Sequence, residues 1–503
     1  MVRTIYKLIG ITWIIWSLGA CTDAIDITQP GRLSADRAFQ NVDDLELGLF
    51  GTYGTLDVTY AVNFNSTFTD EISIGFDNGG QGLGDGRYGQ ILNATSVAPM
   101  TLWVNNYTTI NAATRLIVAA TTITPESSEM ARFNDIVGQA HAIRAFAYFQ
   151  LYSYFTPDLQ DDSALSVIKV DFVPEIDQEL PRASAGEILG LINDDLDRAA
   201  SLITPTSDVT RMGPDFVTAL RARMAAYRGD YSTALVLANQ LLDNYSLADQ
   251  AEYFSMFNDD FDQTEVIFKI ERTLGDVYNR QGTGPGAGGW IGSMYAFVDA
   301  TITGSPYFEM SRSLFNHLDP EDIRFSTFVA PTSVIDPDYQ NSSDFQSSDI
   351  LVIQKYPGSE GRPLMNDLKI FRASEIALIK AEALAANGSL NGSEESAAAM
   401  LKQIRDVRFG SDQPLLEFAN QAEAFGAIMD ERRIELAFEG HRYLDLKRLG
   451  TRANRGLDRD PLDCAVNNTC TLDLGDHRWQ SLPIPQIELD ANSVIRDQQN
   501  PGY

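Results

Sequence analysis

Residues 219–234, Ala-Leu-Arg-Ala-Arg-Met-Ala-Ala-Tyr-Arg-Gly-Asp-Tyr-Ser-Thr-Ala, constrain the fold of this chain more than any other stretch. Small residues recur there at helical spacing. Gly229 supplies a turn, and Tyr227-x-Gly229-x-Tyr231-x-x-Ala234 has the form of the turn in a tetratricopeptide repeat. Two helices joined this tightly make a hairpin that cannot bury its own apolar faces, so such hairpins must stack on one another. A second pair is expected from Ala373 to Ala386 and from Glu394 to Val407. The expected fold class is therefore mostly α, a scaffold of tetratricopeptide-like helical hairpins.

Other helices follow from apolar spacing. One opens near Ser34 or Ala35 and carries Ala38, Phe39, Leu45, Leu49 and Tyr53; one carries Trp103, Tyr107, Ile110, Ala113 and Ile117; a long one runs from Phe133 to Leu151. Ser184 with Glu187 three residues on is a capping box. Two stretches break the pattern. From Asn63 to Ala98 the chain is expected to be irregular, with the glycine-rich run Gly79–Gly89 at its centre. From about 251 to 367 short strands and long loops are expected, among them a strand at Val266–Ile270 and the glycine-rich frame Gly282–Gly292 around Trp290. Long irregular insertions on a repeat scaffold are where binding usually resides.

The net charge of −31 argues against a nucleic-acid or anionic-membrane surface and favours neutral or cationic ligands. Arg3 and Lys7 precede an apolar run from Leu8 to Leu18 that is short for a membrane span and has the flanks of a signal peptide. The run ends in Leu18-Gly19-Ala20-Cys21, a lipobox. Residues 1–20 are thus expected to be removed, Cys21 to be acylated, 21–33 to act as a tether, and 34–503 to form one helical domain with insertions at about 63–100 and 251–367. Several acyl chains on one cysteine would hold the protein to a membrane. For an exported chain, Cys464 and Cys470 predict a disulfide closing a small loop. No metal site or cofactor is expected: the cysteine spacing is not a zinc pattern, and His141, His317, His441 and His477 are scattered.

Tests for chemistry mostly fail. Gly284–Gly289 fits a dinucleotide-binding glycine pattern in form, but Pro285 interrupts it and no helix follows. Asn258–Asp262 begins like a calcium loop, yet Gln263 and Lys269 stand where a glycine and a closing glutamate are needed. Near the C-terminus, Glu431-Arg432-Arg433-Ile434-Glu435-Leu436-Ala437-Phe438-Glu439-Gly440 and the following Arg442, Asp445 and Arg448 suggest two helices with an elbow at Gly440 and a stop at Gly450. Glu435 and Glu439 could serve a glycosidase as acid and base. Arginines so close in sequence favour a structural ion-pair network instead. For a ligand, flat aromatic faces beside short polar groups suit sugar rings. Trp290, Tyr278, Asp85, Arg87 and Tyr88 are the candidate binding residues, with Tyr295 assigned to the core and Trp103 to the scaffold.

With these residues in hand, the chain resembles the SusD/RagB family of Bacteroidetes outer-membrane lipoproteins. The likeness rests on Cys21-Thr22-Asp23, Gly51-Thr52-Tyr53, Trp103-x3-Tyr107, Ala140-x3-Arg144-Ala145, Arg372-x2-Glu375 and the motif from Glu431 to Arg448. The ending is the most specific part: Pro483-Ile484-Pro485-Gln486-x-Glu488, then Gln499-Asn500-Pro501-Gly502-Tyr503. The resemblance implies a SusD-like fold of four tetratricopeptide-like units, and a non-enzymatic protein at the cell surface. It also implies a SusC-type TonB-dependent transporter as partner and an oligosaccharide as ligand. The RagB branch supplies a peptide as the alternative ligand, and a glycosidase is the remote one.

Overall fold

The computed structural model describes residues 38–75, 80–276, 289–295 and 306–503. Cys21, the segments assigned to the signal peptide and tether, Tyr278 and most of the glycine-rich frame before Trp290 lie outside these residues. Helices dominate: α1 (Val42–Tyr53), α2 (Thr59–Phe68), α3 (Val97–Ala120), α4 (Met130–Phe155), α5 (Ala185–Leu202), α6 (Pro214–Arg228), α7 (Tyr231–Leu242), α8 (Gln250–Asn258), α9 (Ala373–Ala386), α10 (Ala397–Phe409), α11 (Gln421–Glu435) and α12 (Arg442–Ala453). The strands of three residues or more among the described residues are β1 (Ile72–Ile74), β2 (Leu165–Ile168), β3 (Arg182–Ser184), β4 (Val266–Ile270), β5 (Phe308–Met310) and β6 (Leu368–Arg372). They pair antiparallel as β1 with β5, β2 with β3 and β4 with β6.

Consecutive helices pack as pairs, α3 on α4, α4 on α5, α6 on α7, α9 on α10 and α11 on α12, and α9 bridges α7 to α11. Small residues make the close approaches possible: a methyl group at Gly138 of α4 would lie 2.8 Å from Ile203 Cγ1. The expected hairpin is present at Gly229, which has φ +73° and ends α6. Asp230 then caps α7 by accepting the Thr233 N–H. Ser184 and Glu187 form the expected capping box at the start of α5.

Several boundaries differ from expectation, each for a local reason. The expected opening at Ser34 or Ala35 lies outside the described residues; Ala38 is helical, the helix breaks at 39–41, and the helix carrying Leu45, Leu49 and Tyr53 begins at Val42, behind an Asn41 side chain that accepts the Asp44 N–H. α2 occupies 59–68, where an irregular stretch was expected from Asn63 onward, because almost all of its residues are buried and leave no amphipathic period. α10 starts at Ala397 rather than Glu394, since Glu395 has φ +43° and Ser396 is the residue that caps. α11 ends at Glu435, five residues before Gly440. Phe438 at φ +63° and Gly440 at φ +87° make the elbow, and α12 continues past Gly450 to Ala453. Gly450 is a packing glycine, not a stop: a Cβ there would sit 2.9 Å from the Arg455 carbonyl.

The charged motif is buried architecture. Glu435 is fully buried and accepts from Arg408 (Nη2, 2.9 Å), Arg372 (Nη1, 3.0 Å) and Arg324 (Nη1, 3.2 Å). Glu439 pairs with Arg372 at 2.8 Å and Lys355 at 2.6 Å, and Glu431 with Arg324 at 2.6 Å. Burial by itself raises Glu435, but Arg408 and Arg372 outweigh it and hold the carboxyl well below the usual range. Neither acid is available as a hydrolytic pair. Further along, Arg432 and Arg448 share Asp445, and Arg442 grips Asp70 at 2.8 Å. A disulfide joins Cys464 to Cys470.

Candidate binding cleft

Helix α2 joins the scaffold to the loops. Thr59, Asn63, Asn65, Ser66 and Thr67 are polar yet buried, so each must find a partner. Asn65 donates to the Tyr154 hydroxyl of α4 at 2.7 Å and accepts the Tyr443 N–H of α12 at 2.8 Å. On the loop side, Asn63 donates to Met294 Sδ at 3.3 Å, and the Ser66 hydroxyl lies 2.9 Å from that of Tyr295. Asp57, which accepts the Thr59 N–H, also pairs with Arg272 at 3.0 Å. One short helix therefore fixes the position of the turn 291–294 and of everything that leans on it.

Beside α2 lies a cleft of about 570 Å³. Tyr60 and Asn63 form one wall, Asp85 to Arg87 and Ile91 to Asn93 a second, and the start of α3 around Ser96 to Thr101 the third. Its size falls within the range of small-ligand sites. Asp85 accepts the Arg87 backbone N–H at 2.9 Å, its Nε at 3.0 Å and its Nη2 at 2.5 Å. The Asp85 side chain is 8% exposed and that of Arg87 20%. Ile91 and Val97 stand exposed at the rim, at 59% and 69%. Burial, then the charge of Asp57, raises the Tyr60 phenol above its ordinary value, so its hydroxyl stays protonated. A second hollow of about 520 Å³ opens on the scaffold between α7, α9 and α10, away from the loops.

The sequence-derived residues fall into three groups. Asp85 and Arg87 wall the cleft. Trp290 is half-buried outside its walls, with its indole N–H donating to the Thr273 carbonyl at 3.3 Å and Arg272 Nε donating to the Gly289 carbonyl just before it. Tyr88 is fully buried and is corrected to a supporting residue. Its hydroxyl donates to the Asp463 carbonyl, and the Arg459 guanidinium lies 4.0 Å above its ring. Tyr278 lies outside the described residues. Tyr295 and Trp103 are buried, as their assignments to core and scaffold required. Sequence reasoning missed Tyr60, Asn63 and Asn93; Tyr60 and Asn63 sit in the helix it did not recognise, and an aromatic-Asn pair one turn apart beside a glycine-rich loop was the available signal.

Among the described residues, no group of three or more His, Cys, Asp or Glu side chains is placed to hold a metal ion. No described helix is long and apolar enough to cross a membrane. The C-terminal hallmark is a clasp. Gln499 holds both the N–H and the carbonyl of Ile484. Asn500 bonds the Phe155 and Leu482 carbonyls and accepts from Arg182 at 2.8 Å.

Residues 331–503 match the SusD family model. Across 99% of its length the chain is 27% identical to SusD-like protein P2 of Formosa agariphila, 99% of which is covered. The fold is similar to that of a SusD superfamily protein from Bacteroides thetaiotaomicron, with TM-score 0.74 at 24% identity, over 92% of this chain and 100% of that one. It is also similar to surface glycan-binding protein A from Bacteroides fluxus, with TM-score 0.68 at 22% identity, over 92% and 99% of the two chains. The family match covers Gln499, Asn500 and the whole motif from Glu431 to Arg448. The C-terminal third of the chain thus matches the SusD family model, and the whole chain is similar in sequence and fold to SusD-like proteins.

Proposed function

We propose that the protein is a cell-surface glycan-binding lipoprotein that captures an oligo- or polysaccharide and delivers it to a SusC-type TonB-dependent transporter. The observation that carries the reading is the cleft beside α2. It combines an aromatic ring (Tyr60), apolar rim residues (Ile91, Val97) and neutral hydrogen-bonding groups (Asn63, Asn93, Ser96) around one ion pair. Sugar C–H faces pack on the first two kinds of group, and sugar hydroxyls bond the rest. Kinship with a surface glycan-binding protein supports the same ligand class. Lipidation of Cys21 would keep the cleft at the outer-membrane surface beside its partner. The protein acts by binding, and its buried glutamates serve the scaffold.

Affinity gels and calorimetry with a polysaccharide panel test this reading. Binding of at least one glycan is expected, with Tyr60→Ala weakening it by about tenfold or more, the scale of one lost ring contact plus a hydrogen bond. Trp290→Ala tests whether the platform extends along the 289–295 segment; unchanged affinity would place Trp290 outside the site. A panel that binds nowhere while mixed peptides bind would overturn the glycan reading in favour of peptide uptake.

A further inference from the structure

We infer that the cleft selects uncharged saccharides: the Asp85–Arg87 ion pair reads neighbouring hydroxyls and turns away sugars that carry carboxylate or sulfate. This inference rests on the saccharide reading above and narrows it.

Among the described residues of the cleft walls, Arg87 is the one cation and Asp85 the one anion. Protein sites that hold uronate or sulfate groups usually do so with an open guanidinium fork. Here the fork is closed. Nε and Nη2 of Arg87 are directed to the two carboxylate oxygens of Asp85, at 3.0 and 2.5 Å, and Asp85 also accepts the Arg87 backbone N–H. The acid belongs to the same turn as the base, so a ligand cannot displace it without opening the turn. What the pair offers outward is a mixed face, with the remaining guanidinium N–H groups as donors and the remaining carboxylate lone pairs as acceptors. A hydroxyl both donates and accepts, so two adjacent ring hydroxyls match such a face. A sugar carboxylate only accepts, so it would leave the remaining Asp85 lone pairs without a donor, and the Arg87 fork that could hold it is already taken by Asp85.

The rest of the cleft agrees. Tyr60, Asn63, Asn93, Ser96 and Thr101 are uncharged, and Ile91 and Val97 offer apolar rim rather than charge. The start of α3 at the cleft edge has no side-chain cap and contributes a fractional positive charge. That fraction is opposed by the net −31 of the chain.

Calorimetry on the mature chain with matched oligosaccharides tests the inference: β-1,4-mannose against β-1,4-mannuronate oligomers, xylo-oligosaccharides with and without glucuronate, and agaro-oligosaccharides with and without sulfate. The wild type is expected to bind the neutral member of at least one pair by about tenfold or more over its anionic counterpart, with affinity insensitive to added NaCl. Asp85→Asn keeps an oxygen for the Arg87 N–H but releases the guanidinium. It is expected to lower that preference by about tenfold, the scale of one charge-assisted hydrogen bond. Arg87→Gln is expected to lose affinity for the neutral member without gaining any for the anionic one; thermal melting of both variants establishes that they fold. Tighter binding of an anionic member by the wild type, or an unchanged preference in folded Asp85→Asn, overturns the inference and leaves the saccharide reading intact. Failure to bind any member of any pair overturns the saccharide reading itself.

Discussion

Glu435→Gln is expected to destabilise the protein strongly. The amide keeps the size and one acceptor of the carboxylate but removes its charge. Glu435 is fully buried and is the acid shared by Arg324, Arg372 and Arg408. After substitution these guanidiniums keep Glu265, Glu431, Glu439 and Asp322, acids that they already occupy. With Lys355 on Glu439 and Arg405 on Glu431 counted, five cations then face four acids, so one positive charge is left without compensation in a largely buried cluster. Removing one partner from such a buried arrangement costs about 3–5 kcal/mol. With an unfolding entropy of about 2 cal/mol/K per residue, a chain of this length loses roughly 1 kcal/mol per degree, so Tm should fall by about 3–5 °C. Differential scanning calorimetry at neutral pH measures this directly. Asp43→Asn is the control, because its pair with Arg132 is at the surface and its loss should leave Tm unmoved. A Glu435→Gln protein that melts within a degree of wild type would refute the idea that charge complementarity holds the C-terminal helices to the loops.

Other expectations are as specific. Burial raises Glu71 to about 7 against the hydrogen bonds from Ser66 and Phe438, with Asp70 adding to the rise; the native state therefore holds a proton that the unfolded chain has already released. That contribution is full below the ordinary carboxyl range and is lost as pH climbs through about 7. Glu71→Gln should flatten the decline in Tm between pH 5 and 7.5 measured in parallel with wild type, and an identical decline in both would count against it. Tyr88→Ala should cost about 3–5 kcal/mol by urea denaturation, as expected for emptying a buried aromatic site, whereas a loss of glycan affinity with no loss of stability would return Tyr88 to the binding surface. Cys21→Ser should move the protein from the membrane fraction to the soluble fraction of cells; retention in the membrane would rule out a lipid anchor at that residue.

The scaffold was legible where local chemistry determines local structure. Ala373–Ala386, Val266–Ile270, the Ser184 capping box and the turn at Gly229 all obey rules that act within a few residues. The ion-pair role of Glu435 and Glu439 was legible too, but not their partners: the nearby Arg432 and Arg442 pair with Asp445 and Asp70, while Glu435 and Glu439 take Arg324, Arg372, Arg408 and Lys355 from distant segments. The cleft was less so. α2 carries Thr59, Asn63, Asn65, Ser66 and Thr67 among apolar residues and is buried on nearly every side, so no face of it alternates with water and periodicity is silent. Tyr88 sits among glycines and reads as exposed. It is covered by Arg459, which lies far along the chain and also bonds the Tyr88 carbonyl. Burial of that kind is set by tertiary contacts, and spacing within the loop carries no trace of it.

The pairing of β4 with β6 has a consequence for how this protein can change. It brings Ile270 opposite Leu368, so the stretch between them leaves the scaffold and returns to it at one place. Loop-closure entropy grows only with the logarithm of length, by about 0.6 kcal/mol for each doubling. A longer or shorter stretch therefore burdens the helices very little. What must be kept includes Arg324 and Lys355, which the stretch inserts among Glu431, Glu435 and Glu439, Phe308–Met310, which pairs with β1, and Arg272, Met294 and Tyr295, which bond Asp57, Asn63 and Ser66. With those rivets in place the stretch is an exchangeable cartridge, which can be replaced while the holder and the cleft walls at 60–63 and 85–101 stay the same.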